Sequence, residues 1–178
     1  MEGVEKMEFV EEIRESDSEN ENEWFISNIR NIEGSLYRLA YSILKNVADS
    51  EDALSEAILK AYKYRHKLKD NSAFKAWMSK ILIREFYKIL KKNKRINSVP
   101  LEEIEETYTH DGLQGELIEI IKTLPPDLAT VLILFYYEKY TVKEITHIVR
   151  AREGTVKSRL YRGRSELRKY LEKEGGNL

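Results

Sequence analysis

From Trp24 to Arg95, and again from Leu113 to about Leu171, the apolar residues of this chain recur every three or four positions. That period lines one side of a helix, whereas a half-buried strand would need alternation. Gly, at 8, and Pro, at 3, are scarce among 178 residues rich in Leu, Ile, Lys and Glu, so turn residues are few and good helix formers many. The expected fold class is all-α: two small helical domains joined by a flexible linker, the second containing a helix-turn-helix.

The interruptions set the expected boundaries. Residues 1–22 carry Glu2, Glu5, Glu8, Glu11, Glu12, Glu15, Asp17, Glu19 and Glu21 with little to bury, which suits an acidic tail that is disordered or weakly helical. Residues 23–95 form a first domain, with breaks near Asn46–Ser50 and Lys69–Ser72. Around Pro100 the helical period is lost among clustered polar residues, so 96–112 read as a linker. In the second domain, 113–173, one helix ends before Pro125–Pro126 and another spans Asp127–Glu138. Two more flank a short break at Arg150–Gly154.

A net charge of -1 conceals segregation: the amino-terminal stretch is acidic, while 75–95 and 150–169 are basic. The absence of cysteine excludes disulfides and thiolate zinc sites. No amino-terminal stretch has the basic-then-apolar order of a signal peptide, so a cytoplasmic location is expected. The longest apolar run, Val131–Tyr137, falls far short of the roughly 20 residues a membrane-spanning helix needs.

In TVKEITHIVRAREGTVKSRLYRGR, Val142, Ile145, Ile148 and Val149 make one helical face, and Val156, Leu160, Gly163 and Leu167 the next. Two short helices about a tight break suggest a helix-turn-helix. Lys157, Ser158, Tyr161, Arg162 and Ser165 fall on the outward side, where short polar and cationic groups can bond base edges in a major groove. Arg159, Arg164, Arg168 and Lys169 flank them and can neutralise phosphates. The bland alternative is an amphipathic helix with a solvated basic face.

In FKAWMSKILIREFYKILKKNKR, Lys80, Arg84, Lys88, Lys91 and Arg95 lie within about 60 degrees of Trp77 on a helical wheel. Met78, Leu82, Phe86, Ile89 and Leu90 lie opposite and read as core. A tryptophan within a cationic stripe offers a stacking platform beside a phosphate track, the combination used on single-stranded nucleic acid. Trp77 could instead pack on a neighbouring helix with one edge exposed, and Phe74 shares that ambiguity.

In DSEDALSEAILKAY, Asp49, Asp52 and Glu56 align on one face, opposite Leu54, Ala57, Ile58 and Ala61. A metal site would want further ligands, yet His66, His110 and His147 are scattered, so neither metal nor catalytic residues are assigned. The carboxylates read as a patch for a basic protein partner, or as a solvated helix start with Asp49 as N-cap.

Through these residues the chain resembles the sigma-70 family, in its two-domain extracytoplasmic-function group, over nearly everything after the acidic tail. SLYRLAYSILKN followed by DSEDALSEAILKAY is similar to the family's polymerase-binding region. FKAWMSKILIREFYKILKKNKR resembles its promoter-opening region and EGTVKSRLYRGRSELRKYL its recognition helix. The resemblance implies that Asp49, Asp52 and Glu56 contact the RNA polymerase core. It places Asn71, Phe74, Trp77, Lys80, Arg84 and Lys88 around the melted minus-ten strand of promoter DNA, and Lys157, Ser158, Arg159, Tyr161 and Arg162 at the minus-thirty-five duplex. It also implies an anti-sigma partner, no cofactor, no small-molecule substrate and no chemistry of the chain's own. Arg84 and Lys88 depart from the family's usual asparagine and aspartate, and Thr146 from its usual alanine.

Two other readings stay open on the residues alone. A stand-alone helix-turn-helix regulator would need Lys157–Arg162 but has no use for the acidic helix or the Trp77 stripe. A small hydrolase or nuclease would use the acidic helix to hold a metal.

Overall fold

The computed structural model describes the backbone of residues 2–96, 120–121 and 123–174, and the side chains of 20–94, 120–121 and 123–172. The described chain is helical: α1 (Glu2–Leu44), α2 (Val47–Tyr64), α3 (Phe74–Ile96), α4 (Pro126–Tyr136), α5 (Val142–Val149) and α6 (Glu153–Glu174). Two short 3-10 turns, Arg65–Lys67 and Asn71–Ala73, join α2 to α3. The all-α expectation holds, with no strand among the described residues. The expected linker at 96–112 lies, past Ile96, outside the described residues, as does the start of the second domain.

The chain divides into two compact units, 1–34 and 35–178. The first is the amino-terminal part of α1. The acidic stretch 1–22, for which the sequence suggests a disordered or weakly helical tail, has helical backbone from Glu2 onward. Its many glutamates are good helix formers and no proline interrupts them.

Within the second unit, local chemistry sets each helix end. Lys45 sits at φ 54, a left-handed conformation that ends α1. Asn46 then caps α2, its side-chain oxygen accepting the Asp49 N–H at 2.9 Å. Asn46, rather than Asp49, is therefore the N-cap, because the extended backbone at Asn46 (φ -142, ψ 127) is what a cap requires. Pro126 opens α4 at a position whose N–H has no helical partner to lose. Thr141 and Glu144 form a reciprocal capping box at α5: the Thr141 N–H donates to Glu144 Oε2 at 2.7 Å and the Glu144 N–H to Thr141 Oγ1 at 3.3 Å.

Ala53, Leu54, Ala57 and Ala61 of α2 are buried, as are Met78, Leu82, Ile83 and Phe86 of α3, and these two helices pack together. The alanines let the backbones approach, and each large side chain fully withdrawn from water contributes about 1.5–3 kcal/mol. Val131, Leu132 and Leu134 of α4, Ile145 and Ile148 of α5, and Val156 and Leu160 of α6 make the core of the last three helices. Gly163 makes a close approach there: a Cβ at this position would lie 2.8 Å from Leu132 Cδ1, so a side chain would have to push Leu132 aside where α6 lies against α4.

Candidate nucleic-acid interface

α5 ends at Arg150, which takes up the left-handed conformation (φ 53, ψ 47) that glycine usually provides. The Arg150 and Ala151 N–H groups both turn back to the Thr146 carbonyl, and α6 starts three residues later. That is a helix-turn-helix. Thr146 fits it because its hydroxyl is satisfied within α5, donating to the Lys143 carbonyl at 2.6 Å.

Burial of Val156, Leu160, Gly163 and Leu167 turns the opposite side of α6 to solvent. Lys157, Ser158, Tyr161 and Arg162 are all exposed there, Tyr161 at 71 %. Lys157 reaches Glu153 at 2.6 Å, but both side chains are well solvated, so the pair is weak and easily exchanged for another anion. Arg159 departs from this group. It is turned toward α4, 3.2 Å from Asp127 and only 29 % exposed, which leaves it less free for a ligand than its neighbours.

On the first half of the second unit the sequence stripe is divided. Asn71 is exposed on its 3-10 turn, and Trp77, Lys80 and Arg84 are half-buried on one side of α3. Phe74 is separated from this set: it is 3 % exposed and belongs to the core, its ring centroid 6.2 Å from that of Trp77. It supports the tryptophan from beneath. Lys88 is exposed but turns to Glu85, donating to both carboxylate oxygens at 2.9–3.0 Å, and with Asp52 and Glu56 it lines the groove between α2 and α3.

Glu85 is an ionic centre that helical spacing does not reveal. Its side chain is only 7 % exposed, yet Lys60 reaches it at 2.7 Å from α2. Burial opposes its ionisation, and the bonds from Lys60 and Lys88 overcome that, holding the carboxyl below its ordinary value. Lys60 also meets Glu56 at 2.6 Å, and its ammonium is held well above the usual lysine value by Glu56 and then Glu85. Asp52 and Glu56 remain exposed, while Asp49 is half-buried and accepts a bond from Asn93 of α3 at 2.8 Å. The three carboxylates thus lie along one helix, with Asp49 also bracing α2 against α3.

The structure adds a junction between α3 and the start of the helix-turn-helix. Ser79 and Tyr140, both buried, bring their hydroxyls to 3.2 Å. Lys75 pairs with Glu138 at 2.7 Å, and the Ser35 hydroxyl lies 2.7–2.8 Å from the same carboxylate. Tyr87 and Thr130 meet at 3.4 Å; because Thr130 already donates to the Pro126 carbonyl, Tyr87 is the donor. Burial, then the charge of Arg150, lowers the pKa of both Lys80 and Arg84. The cationic side of α3 is therefore partly covered by α5. Nothing in the spacing of Ser79 or Tyr140 signals a pairing across 61 residues.

Comparison with known proteins gives a consistent result. Residues 29–96 match the family model for Sigma-70 region 2, and residues 114–167 the model for Sigma-70, region 4. The chain is 34 % identical over 143 residues to the RNA polymerase sigma factor SigV of Bacillus subtilis, covering 78 % of this chain and 85 % of that one. It is 28 % identical over 154 residues to the ECF RNA polymerase sigma factor SigW of the same organism, with 76 % and 82 % covered. Among solved structures, the sigma factor RpoE in complex with the anti-sigma factor NepR from Bartonella quintana has a similar fold. The TM-score is 0.73 at 23 % identity, over 83 % of this chain and 96 % of that one.

Proposed function

The chain belongs to the sigma-70 family of RNA polymerase sigma factors, in its extracytoplasmic-function group, and we propose that it is a dissociable initiation subunit that directs core polymerase to particular promoters in the cytoplasm. The observation that carries this reading is one chain presenting three chemically distinct faces: an acidic helix, a tryptophan in a cationic helix side, and an exposed polar face on a helix-turn-helix.

Each face suits a different contact. Asp52 and Glu56, exposed on α2, would meet a basic surface of the core, with Asp49 behind them. Trp77, Lys80 and Arg84, with Asn71 at the helix entrance, would take the melted minus-ten strand by stacking and phosphate contact. Lys88, tied to Glu85, would sit at the edge of that set. Lys157, Ser158, Tyr161 and Arg162 would read the minus-thirty-five duplex, and Arg159 would approach its backbone after releasing Asp127.

Neither DNA contact needs to be strong alone. Polymerase would hold the two domains at the spacing of a promoter, so that each binding event raises the effective concentration of the other. Melting would then be stabilised by capture of unpaired bases, and RNA synthesis would belong to the core enzyme. An anti-sigma protein covering the same faces would keep the subunit inactive; the similarly folded RpoE was solved in complex with such a protein, NepR.

The deciding experiment is run-off transcription from fragmented genomic DNA by bacterial core polymerase, with and without this protein. New discrete starts sharing two upstream motifs are expected. Specific duplex binding by the protein alone, without any gain in initiation, would favour a stand-alone regulator.

A further inference from the structure

Three cations meet where α3 packs against α5. Lys80 and Arg84 stand one turn apart on α3, and Arg150 ends α5 in its left-handed conformation. Their charges act on one another. Burial first, and then Arg150, holds both Lys80 and Arg84 below their ordinary values, with Arg84 adding to the effect on Lys80. Among the described residues no carboxylate pairs with any of the three. Arg84 Nε is withdrawn from water and has no hydrogen-bond partner among the same residues.

The carboxylates of the flanking elements are committed elsewhere. Glu85 takes Lys60 and Lys88, Glu138 takes Lys75 and Ser35, and Glu144 closes the capping box with Thr141. Like charges repel and a buried donor without a partner is costly, so other bonds must hold this arrangement. Ser79 with Tyr140 and Lys75 with Glu138 supply them, fixing α3 against the segment that leads into α5. The three cations are thus preorganised around a negative charge that the described residues do not provide.

Two guanidinium groups and an ammonium match the oxygens of a phosphate, which an arginine can take with two parallel bonds. A nucleic-acid strand has poor access in this arrangement, because Lys80 and Arg84 are half-buried beside α5. A small anion can enter on the side of Arg150, which is exposed. We propose that Lys80, Arg84 and Arg150 form a binding site for a small phosphate-class oxyanion, which bridges α3 to the turn of the helix-turn-helix and holds the two together against DNA capture. The site itself stands on the geometry alone; its effect on DNA rests on the promoter-binding reading and adds a regulator to it.

The test uses the free full-length protein in isothermal titration calorimetry with inorganic phosphate and with ADP, at constant ionic strength. Saturable binding at one site is expected. Equal affinity for the two makes free phosphate the source and tighter ADP makes it a nucleotide, and both support the site. Arg150→Gly suits the left-handed backbone and removes the charge, so it should weaken binding at least tenfold in a protein of unchanged helicity, whereas Arg150→Lys should largely preserve it. At ten times its dissociation constant, phosphate should lower the affinity for single-stranded minus-ten DNA about tenfold relative to chloride of equal ionic strength, and should do so far less in Arg150→Gly. Equal DNA affinity in the two salts overturns the bridging role. Binding that is absent, or that Arg150→Gly leaves unchanged, overturns the site, and successful run-off initiation would show that failure to be the anion's alone. Saturable, Arg150-dependent binding by a protein that supports no initiation keeps the site and removes the promoter reading.

Discussion

Glu138→Ala probes the junction between α3 and the helix-turn-helix. The Glu138 carboxylate is 11 % exposed and takes the Lys75 ammonium at 2.7 Å and the Ser35 hydroxyl at 2.7–2.8 Å, one proton shared between two oxygens. A hydrogen bond to a charged group is worth about 1.5–3 kcal/mol, and Lys75, 40 % exposed, recovers part of that from water when released. The net loss is about 2 kcal/mol, or roughly 30-fold in the equilibrium between joined and parted halves. That same junction buries Ser79 and half-covers Lys80 and Arg84, so parting it uncovers the side of α3 proposed to hold the melted strand. Glu138→Ala should therefore raise the affinity of the free protein for single-stranded minus-ten DNA by up to that factor. Fluorescence anisotropy without polymerase would read it, and small-angle scattering should show a larger radius at unchanged helicity. Unchanged affinity and radius would refute the premise that this junction opposes DNA capture.

Tyr140 gives the junction a pH signature. Burial pushes its phenol up to about 12, with Glu138 and Glu144 adding to the shift and the Ser79 bond opposing it. The folded state thus prefers the protonated phenol. Its contribution, about 2 kcal/mol, is complete below the unfolded value near 10 and is lost as pH rises toward 12, so Tyr140→Phe should flatten the alkaline fall in stability followed by urea unfolding. Gly163→Ala forces a Cβ to 2.8 Å from Leu132 Cδ1; overpacking of about 1–3 kcal/mol less about 1 of helix propensity leaves a net loss near 1 kcal/mol, readable as a lower urea midpoint. Arg162→Ala should cost about 1–3 kcal/mol of discrimination at the minus-thirty-five element in competition binding; an equal loss on every sequence would make Arg162 a phosphate contact. Reversing Asp52 and Glu56 to lysine should abolish co-purification with core polymerase while circular dichroism stays unchanged.

Much of the molecule is legible in its sequence because helical periodicity is local. The buried series Val156, Leu160, Gly163 and Leu167 follows from spacing alone, and with it the outward turn of Lys157, Ser158, Tyr161 and Arg162. The turn at Arg150 and the break after Leu44 are visible as interruptions of the same pattern. A helical wheel assigns a side to each residue but not a neighbour. It therefore groups Phe74 with Trp77, although packing puts Phe74 in the core. It also sets Lys88 beside Lys80, although Glu85 draws its ammonium the other way.

What the sequence by itself determined is what depends on residues a few positions apart: the helices and the polar or apolar character of each side. Only the tertiary structure decided which sides meet. Glu85 with Lys60, Glu138 with Lys75 and Ser79 with Tyr140 are separated by 25, 63 and 61 positions, and no local period encodes such pairings. They arise because the buried faces of the helices must cover one another, and that packing brings polar groups at the margins within reach of distant partners that then hold or release the faces left outside.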